Sequence, residues 1–270
     1  MLNRLLVTGA AGGLGTALRP HLSRLAKEVR LSDMVAVDQD VTHDTRHEEI
    51  VTADLTDVDA VARLVEGCDG VIHLGGVSVE RSWQQILPAN IMGTYHLYEA
   101  VRRHDKPRVV FASSNHVIGF YPQHQRLDAK VPKRPDSLYG VSKGFGEDLA
   151  SLYFDKFGVE TLAVRIGSCF PEPADARMLA TWMSVEDFVA LLERAFCVPE
   201  LGYTVVYGAS NNAEQWWDNR EAGFLGWVPK DSSEPWRAEI EARGGRLAPD
   251  DPSVRFQGGK FAGQGHPDDK

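Results

Sequence analysis

The sequence predicts an α/β fold with a doubly wound parallel sheet, and three observations carry that expectation. Short apolar runs recur along the chain, the stretches between several of them have helical periodicity, and a glycine-rich turn follows the first run. The runs are Leu5 to Val7, Glu28 to Leu31, Ile50 to Thr52, Gly70 to Leu74, Val109 to Ala112, Thr161 to Ile166 and Thr204 to Tyr207. Their lengths suit strands, and strands that alternate with helices lie parallel, in a Rossmann-type order. At 270 residues and 43% hydrophobic content the chain can bury one sizeable core, so a single domain with an embellished C-terminal end is expected.

Thr8-Gly9-Ala10-Ala11-Gly12-Gly13-Leu14-Gly15 reads as the end of a strand, a tight turn and the start of a helix that together grip a pyrophosphate. A side chain at Gly9 or Gly12 would hold the backbone away from the phosphates. Gly15 lets the helix lie close on the strand, with the amides around Gly13 and Leu14 facing the anion. Asp33 ends the second run, eighteen residues past Gly15, where a carboxylate accepts from both hydroxyls of an adenosine ribose and repels a 2′-phosphate. NAD is therefore expected over NADP, unless Arg46 or Arg30 lies near enough to blunt the repulsion; a turn aspartate is the plainer alternative. Asp54 and Leu55 are placed to hold an adenine edge, and Asp54 can also cap the following helix. That helix is expected over Asp57 to Val65, with a stop at Gly67. Leu74-Gly75-Gly76-Val77 closes the fourth run, where glycine allows a cofactor to lie against the backbone.

Ser113 and Ser114 follow the fifth run, and Tyr139-Gly140-Val141-Ser142-Lys143 comes next. A tyrosine and a lysine four apart on a helix share a face, so the ammonium can sit beside the phenol oxygen. A phenol titrates near ~10 in water, and each unit of lowering needs about 1.4 kcal/mol of preference for the phenolate. Lys143 and a nicotinamide cation are expected to supply that preference. An ordinary solvated helix face explains the pair better when it is taken alone; the glycine turn and the strand-end serines reverse that and favour chemistry, with Tyr139, Lys143 and Ser114 as catalytic candidates. Further on, Ser184-Val185-Glu186-Asp187 has the spacing of a capping box ahead of Phe188 to Phe196. Pro171, Pro173 and the glycine-rich end from Gly258 predict irregular chain, and Gly265 to Lys270 a mobile end.

The net charge of −9 offers no basic face for nucleic acid or an anionic membrane. No run of eighteen apolar residues appears and the N-terminus begins at once with a core strand, so neither a membrane span nor a cleavable signal is expected. Three cysteines, Cys68, Cys169 and Cys197, fit neither a metal spacing nor a disulfide framework, which points to a reduced cytoplasm. Cys169 is disfavoured as a nucleophile, because no helix start or basic partner lowers its pKa. His43-Asp44-Thr45-Arg46-His47-Glu48-Glu49 carries two histidines and several carboxylates, yet reads as a hydrated surface segment and not as a metal site. Trp216, Trp217 and Trp227 are expected to pack the C-terminal region onto the sheet or another subunit.

The glycine turn, the strand-end serines and the Tyr139/Lys143 pair, in that order, resemble the short-chain dehydrogenase/reductase superfamily in its extended, epimerase-like branch, over the whole chain. Gly70 to Glu80, Phe111 to His116, Val164 to Cys169, Trp216 to Asn219 and Val254 to Gly259 narrow the resemblance to the uronate dehydrogenase family. The resemblance implies NAD-dependent oxidation of the anomeric C1 hydroxyl of D-galacturonate and D-glucuronate to an aldarolactone, with Tyr139 as general base. It further implies that Lys143 bonds the nicotinamide ribose, that Ser114 bonds the reacting oxygen and that the backbone of Cys169 touches the nicotinamide. Ser78, Asn115 and His116 match positions that bind sugar hydroxyls. Arg177, with Ser168 at the same end, is expected to hold the C6 carboxylate, although a solvated loop arginine is an even alternative from sequence alone. Phe261 resembles a tail residue near the pocket. About 170–270 would then contribute the substrate-binding and tail region, and a homo-oligomer is expected by analogy. Epimerases of the branch carry an asparagine-bearing segment where this chain has Arg165-Ile166-Gly167-Ser168, which argues against a nucleotide-sugar substrate. A nucleotide-sugar epimerase and a non-catalytic dinucleotide sensor are the alternatives.

Overall fold

The computed structural model describes residues 1–244 and 248–269; Lys270, the last residue of the end expected to be mobile, lies outside them. In chain order the elements are β1 (Leu2–Thr8), α1 (Gly13–Leu18), β2 (Ala26–Asp33), β3 (Glu48–Thr52), α2 (Val58–Val65), β4 (Gly70–His73), α3 (Trp83–Ile86) and α4 (Gly93–Arg103). A π-helical turn, Leu87–Met92, joins α3 to α4. Then follow β5 (Arg108–Ser114), β6 (Leu127–Asp128), α5 (Leu138–Phe157), β7 (Thr161–Ile166), α6 (Met178–Thr181), α7 (Val185–Cys197), β8 (Tyr203–Gly208), β9 (Trp217–Asp218), α8 (Arg237–Arg243) and α9 (Pro252–Arg255). Seven strands form one parallel sheet in the order β3-β2-β1-β4-β5-β7-β8, and β6 and β9 form a small parallel pair. The chain reverses direction across the sheet between β1 and β4, the place where such folds hold a ligand.

All seven expected strands are present. Most run one to three residues beyond the apolar cores read from sequence, because ladder pairing also takes in polar ends such as Arg4, Ser32 and Ser114. Both faces of the sheet are covered. Leu5, Val7, Ile72, Val110, Leu162 and Val164 pack with α7 residues on one side, while Leu6, Val71, Val109, Phe111 and Ala163 pack with residues of α2, α4 and α5 on the other. Burial on both faces explains why the strands read as continuous apolar runs without alternation. Among the described residues no helix is long and apolar enough to cross a membrane.

Several local expectations are corrected. Asp57, not Asp54, caps α2: its carboxylate accepts from the amides of Asp59 and Ala60, both at 3.0 Å, while Asp54 accepts from Thr56 at 2.8 Å in the turn before. The capping box at α7 is half formed. Ser184 Oγ accepts from the Asp187 amide at 3.0 Å, but the Asp187 carboxylate turns to Ser210 Oγ and the amides of Lys230 and Asp231. The chain after Pro171 is not irregular throughout, since it contains α6, and the tail from Gly258 contains a 3₁₀ turn, Gly259–Gly263. Nor is the segment from His43 to Glu49 hydrated at its end. Glu48 opens β3 and is buried in an ion pair with Arg19 at 2.6 Å, with His43 Nε2 at 3.0 Å from the same carboxylate. Trp217 packs as expected, stacked on Tyr207 with ring centroids 5.1 Å apart, and Trp227 packs against the core.

Helix α5 is pinned at both ends and in the middle. Ser137 Oγ accepts from the Gly140 amide at 2.9 Å at its start, and Gly158, with φ of 72°, ends it in a left-handed turn. A Cβ at Gly146 would lie 2.2 Å from the Phe111 ring, so the helix backbone presses directly on β5. At the centre the fully buried Glu147 accepts two parallel bonds from Arg165 of β7, both 2.9 Å, and one from Ser113 of β5 at 2.6 Å. Arg165 also donates to the hydroxyl of Tyr207 on β8 at 3.1 Å.

Arg165→Met leaves the buried Glu147 carboxylate with only the Ser113 hydroxyl and, at 3.7 Å, the Lys133 ammonium, and loss of one partner of a buried pair costs about 3–5 kcal/mol. Urea unfolding is expected to show that loss, and to show most of it recovered in the double variant Arg165→Met/Glu147→Met. Equal losses in the single and double variants would assign the cost to packing and not to the stranded charge.

Candidate active site

The crevice at the β1/β4 reversal is shaped by backbone. Gly9 has φ of 73°, and a Cβ there would lie 2.6 Å from the Gly75 amide nitrogen; a Cβ on Gly15 would lie 2.5 Å from the Gly9 carbonyl oxygen. Gly12 caps α1 and Gly13 and Leu14 open it, leaving the first amides without partners earlier in the helix. Gly75 meets Leu55, and Gly76, at φ of 135°, meets the side chain of Asn90. Leu74 and Val77 flank these glycines. At the end of β2 the Asp33 carboxylate accepts from the Ala11 amide at 3.0 Å and the Val35 amide at 3.4 Å, which ties it to the glycine turn. Neither arginine considered near it is there. Arg46 pairs with Asp44 at 2.6 Å, and Arg30 pairs with Glu49 and donates to the last carbonyls of α2. Asp33 thus keeps an uncompensated negative charge where a ribose would approach. Asp54 is exposed and Leu55 half-buried. A turn in which Gly9 and Gly15 leave no room for a side chain, next to a carboxylate with no cation beside it among the described residues, fits a dinucleotide without a 2′-phosphate.

The reacting groups lie along β5 and α5. Tyr139 and Lys143 are both buried. The Lys143 ammonium stands 5.1 Å from the Phe111 ring centroid and 5.8 Å from that of Tyr139, over the ring faces. The expected lowering of the phenol by the ammonium is not what the protein's own groups produce. Burial pushes Tyr139 up to about 12, against an opposing pull from the Ser114 hydroxyl, and the Asp136 anion adds to the rise. Burial likewise pushes Lys143 down to about 8. Both groups are therefore held away from their charged forms. Cys169 is a half-buried free thiol that burial pushes up to about 12, away from the thiolate form.

Around them sit the polar groups expected to hold a substrate. Ser114 Oγ accepts from the His116 amide at 3.2 Å. The His116 ring bonds the Asp136 carboxylate through Nδ1 at 2.9 Å, stacks on Phe261 with centroids 4.0 Å apart, and meets the Tyr139 ring edge-on at 5.7 Å. Phe261 is thus part of the pocket wall. Arg177 precedes α6 and donates from Nε to the Gln257 carbonyl at 2.7 Å and from Nη1 to Ser168 Oγ at 3.3 Å. Its Nη2 is buried with no partner, and so is Oδ1 of Asn115. Burial lowers the Arg177 pKa from its ordinary value. Ser78 is exposed in the loop after β4 and has no hydrogen bond among the described residues.

Sequence reading missed several residues that build this site. Glu80 accepts from the amides of Leu138 and Tyr139 at 3.0 and 2.9 Å, joining the Ser78 loop to the start of α5. Asn90, in the π-helical turn, grips Val77 through both its amide and its carbonyl and donates to Ser142 Oγ, which donates to the Tyr139 carbonyl. Asp136 and Gln257 were also missed. A signal existed for the clamp alone: Glu147 follows Lys143 by four residues, and Arg165 is a lone charge in an apolar strand that must find a buried partner.

The NAD dependent epimerase/dehydratase family matches residues 5–187. A uronate dehydrogenase of Pseudomonas syringae pv. tomato is 55% identical over 268 residues, covering 99% of this chain and 96% of its own. Among solved structures, a glucuronic acid dehydrogenase from Chromohalobacter salexigens superposes with a TM-score of 0.96 at 66% identity, over 100% of both chains. A mutant of uronate dehydrogenase from Agrobacterium tumefaciens complexed with NAD superposes at 0.93 and 55% identity, over 97% of this chain and 98% of that one.

The buried ammonium has a measurable signature. Its pKa is about 8 in the folded chain against 10.5 in the unfolded, so between those values the unfolded chain binds more protons and stability rises with pH. Lys143→Met removes the penalty. The variant is expected to be more stable than the wild type at neutral pH, with the gap closing as pH rises through 8 toward 10.5 in urea titrations. A gap independent of pH would mean that the ammonium is not desolvated.

Proposed function

The chain belongs to the NAD-dependent epimerase/dehydratase family and, within it, to the uronate dehydrogenases, and on that premise we propose how its residues oxidise the anomeric C1 hydroxyl of D-galacturonate and D-glucuronate to the aldarolactone. The observation that carries the reading is a half-buried arginine whose Nη2 is buried without a partner among the described residues, joined through one short segment to a buried tyrosine. Arg177 Nη2 has no partner, and the segment Ser114 to His116 links it to Tyr139: Asn115 shares the Gln257 carbonyl with Arg177, and His116 abuts the phenol ring. A carboxylate satisfies such a donor and gains from a dry site.

Tyr139 Oη takes the proton of the C1 hydroxyl while Ser114 Oγ holds the same oxygen. NAD, when bound, supplies the acceptor for the hydride leaving C1 and a positive charge beside the phenol. The turn from Gly9 to Gly15, Asp33, Asp54, Leu55, Leu74 to Val77, Lys143 and the backbone of Cys169 would hold it. A phenol near 12 in the protein alone needs several units of lowering to act at neutral pH, at about 1.4 kcal/mol each, so Tyr139 is a weak base until cations gather at its face. Lys143 is one of them. The sugar's own ring oxygen stabilises positive charge developing at C1, so the step needs no thiol, in keeping with the raised pKa of Cys169. Arg177 and Ser168 hold the carboxylate end, and Ser78, Asn115 and His116 the hydroxyls. A cytoplasmic homo-oligomer belongs to the same reading, supported by three free thiols and by the exposed Tyr95, Val141 and Leu152 on α4 and α5.

Mixing the protein with galacturonate and NAD is expected to produce NADH continuously, whereas an epimerase would return its hydride and accumulate none. Tyr139→Phe keeps the ring and removes the base; turnover is expected to fall by about 10²–10⁴ with NAD affinity retained. Retention of most turnover would take the base role from Tyr139. Arg177→Met is expected to raise KM for galacturonate on the order of 10²-fold, as loss of a buried charge partner does, and to change KM for galactose little. Equal effects on the two sugars would show that the arginine does not read the carboxylate.

A further inference from the structure

Gln257 is fully buried, and every polar atom of its side chain is engaged. Oε1 accepts from Trp217 Nε1 at 2.8 Å, and Nε2 donates to the carbonyls of Pro122 and Gln125 at 3.2 and 2.8 Å. Its amide donates to the Tyr121 carbonyl at 2.8 Å. The residue is locked in place, and its own carbonyl points at the substrate half of the pocket. That single oxygen accepts from Arg177 Nε at 2.7 Å and from Asn115 Nδ2 at 3.4 Å.

What remains on those two side chains is informative. With Nε on Gln257 and Nη1 on Ser168, Arg177 has Nη2 left over; with Nδ2 on Gln257, Asn115 has Oδ1 left over. A buried polar atom without a partner is costly, so two of them on side chains that share one anchor mark a site kept for a ligand. The orientation of Asn115 follows from the same anchor, since a flipped amide would set its oxygen against the Gln257 oxygen. The next two residues hold the anchor close. A Cβ at Gly258 would lie 1.6 Å from the Asp136 carboxylate, and one at Gly259, where φ is 64°, would lie 2.6 Å from Arg177 Cδ.

We propose that Gln257 is a positioning residue for substrate specificity: its main-chain carbonyl aims a donor, Arg177 Nη2, and an acceptor, Asn115 Oδ1, at one end of the sugar acid, where the carboxylate takes the first and a neighbouring hydroxyl the second. The inference rests on the uronate reading given above. It implies that the tail acts on substrate recognition and leaves the cofactor half untouched.

Gln257→Met keeps the volume and removes the three side-chain bonds that fix the carbonyl. KM for galacturonate is expected to rise about tenfold or more, the loss of one hydrogen bond to a charged group, while KM for galactose, which offers the hydroxyl but no carboxylate, rises less and KM for NAD stays within about threefold. Trp217→Phe removes only the bond to Oε1 and keeps the stack on Tyr207. It is expected to move the same ratio in the same direction by a smaller factor, and it serves where Gln257→Met fails to fold. A wild-type enzyme with no preference for galacturonate over galactose would overturn the substrate reading itself. A wild-type preference that the variants leave intact, or equal losses on galacturonate, galactose and NAD, would overturn the role of Gln257 alone.

Discussion

The active site depends on where helix α5 sits, and α5 sits where the buried pair of Glu147 and Arg165 puts it. Tyr139, Lys143 and Glu147 are spaced by four and four residues, so they rise along one face of the helix. Glu147 is the deepest of the three and is bonded to β5 and β7 at once. Its position along the strands therefore sets the height of the phenol and the ammonium above the sheet. Glycine contacts at Gly140 and Gly146 bring the backbone against His116 and Phe111, which leaves little freedom for the helix to slide. A buried ion pair contributes little net stability, but it penalises every arrangement that separates its partners. Here that penalty falls on any register in which Tyr139 is out of place.

The same burial that fixes geometry sets the electrostatics. A phenol pushed up and an ammonium pushed down are both poised toward neutrality, and the Asp136 anion under His116 opposes the phenolate further. In water these groups would be screened and nearly ordinary. Inside the pocket each added charge is felt at low dielectric, so a cation arriving beside Tyr139 has a large effect on it and an anion meeting Arg177 a comparable one. The protein is thus weakly reactive by itself, and its reactivity is conditional on ligands that bring the compensating charges.

How much of this is readable in the sequence depends on the range of the interaction. The glycine turn, Asp33 and the Tyr139/Lys143 pair are local patterns: a backbone conformation, a strand end, a helical spacing. They appear where the sequence places them, and the seven strands with them. For Tyr139, spacing gives the shared face of two side chains but not the depth at which both are buried, so the rise that burial produces in the protein alone is not readable in it. Asp54 and Asp187 were misread for a similar reason, since several carboxylates near a helix start compete for one cap and the winner is settled by the surrounding chain. Gln257 lies in the stretch Val254 to Gly259 that carries the resemblance, but its role could not be read, because its partners lie 40, 80 and more than a hundred residues away.

That difference in range separates the two halves of the site. The glycine crevice and the Tyr139/Lys143 pair are built from β1, β4 and the first part of α5, within residues 5–187, the span that matches the family. The substrate half closes through residues 256–261, which reach back to Asn115 across 142 positions and to Arg177 across 80. Phe261 on His116, Gly258 on Asp136 and Gln257 on Arg177 each fix one member of the pocket, and none of them touches the glycine turn. If the tail holds the substrate as proposed, such a chain could exchange its substrate by altering a short segment while the glycine crevice and the tyrosine stay in place. Specificity placed on the tail is separable from chemistry placed on the sheet, which is how one parallel sheet can serve oxidation and epimerisation of different sugars.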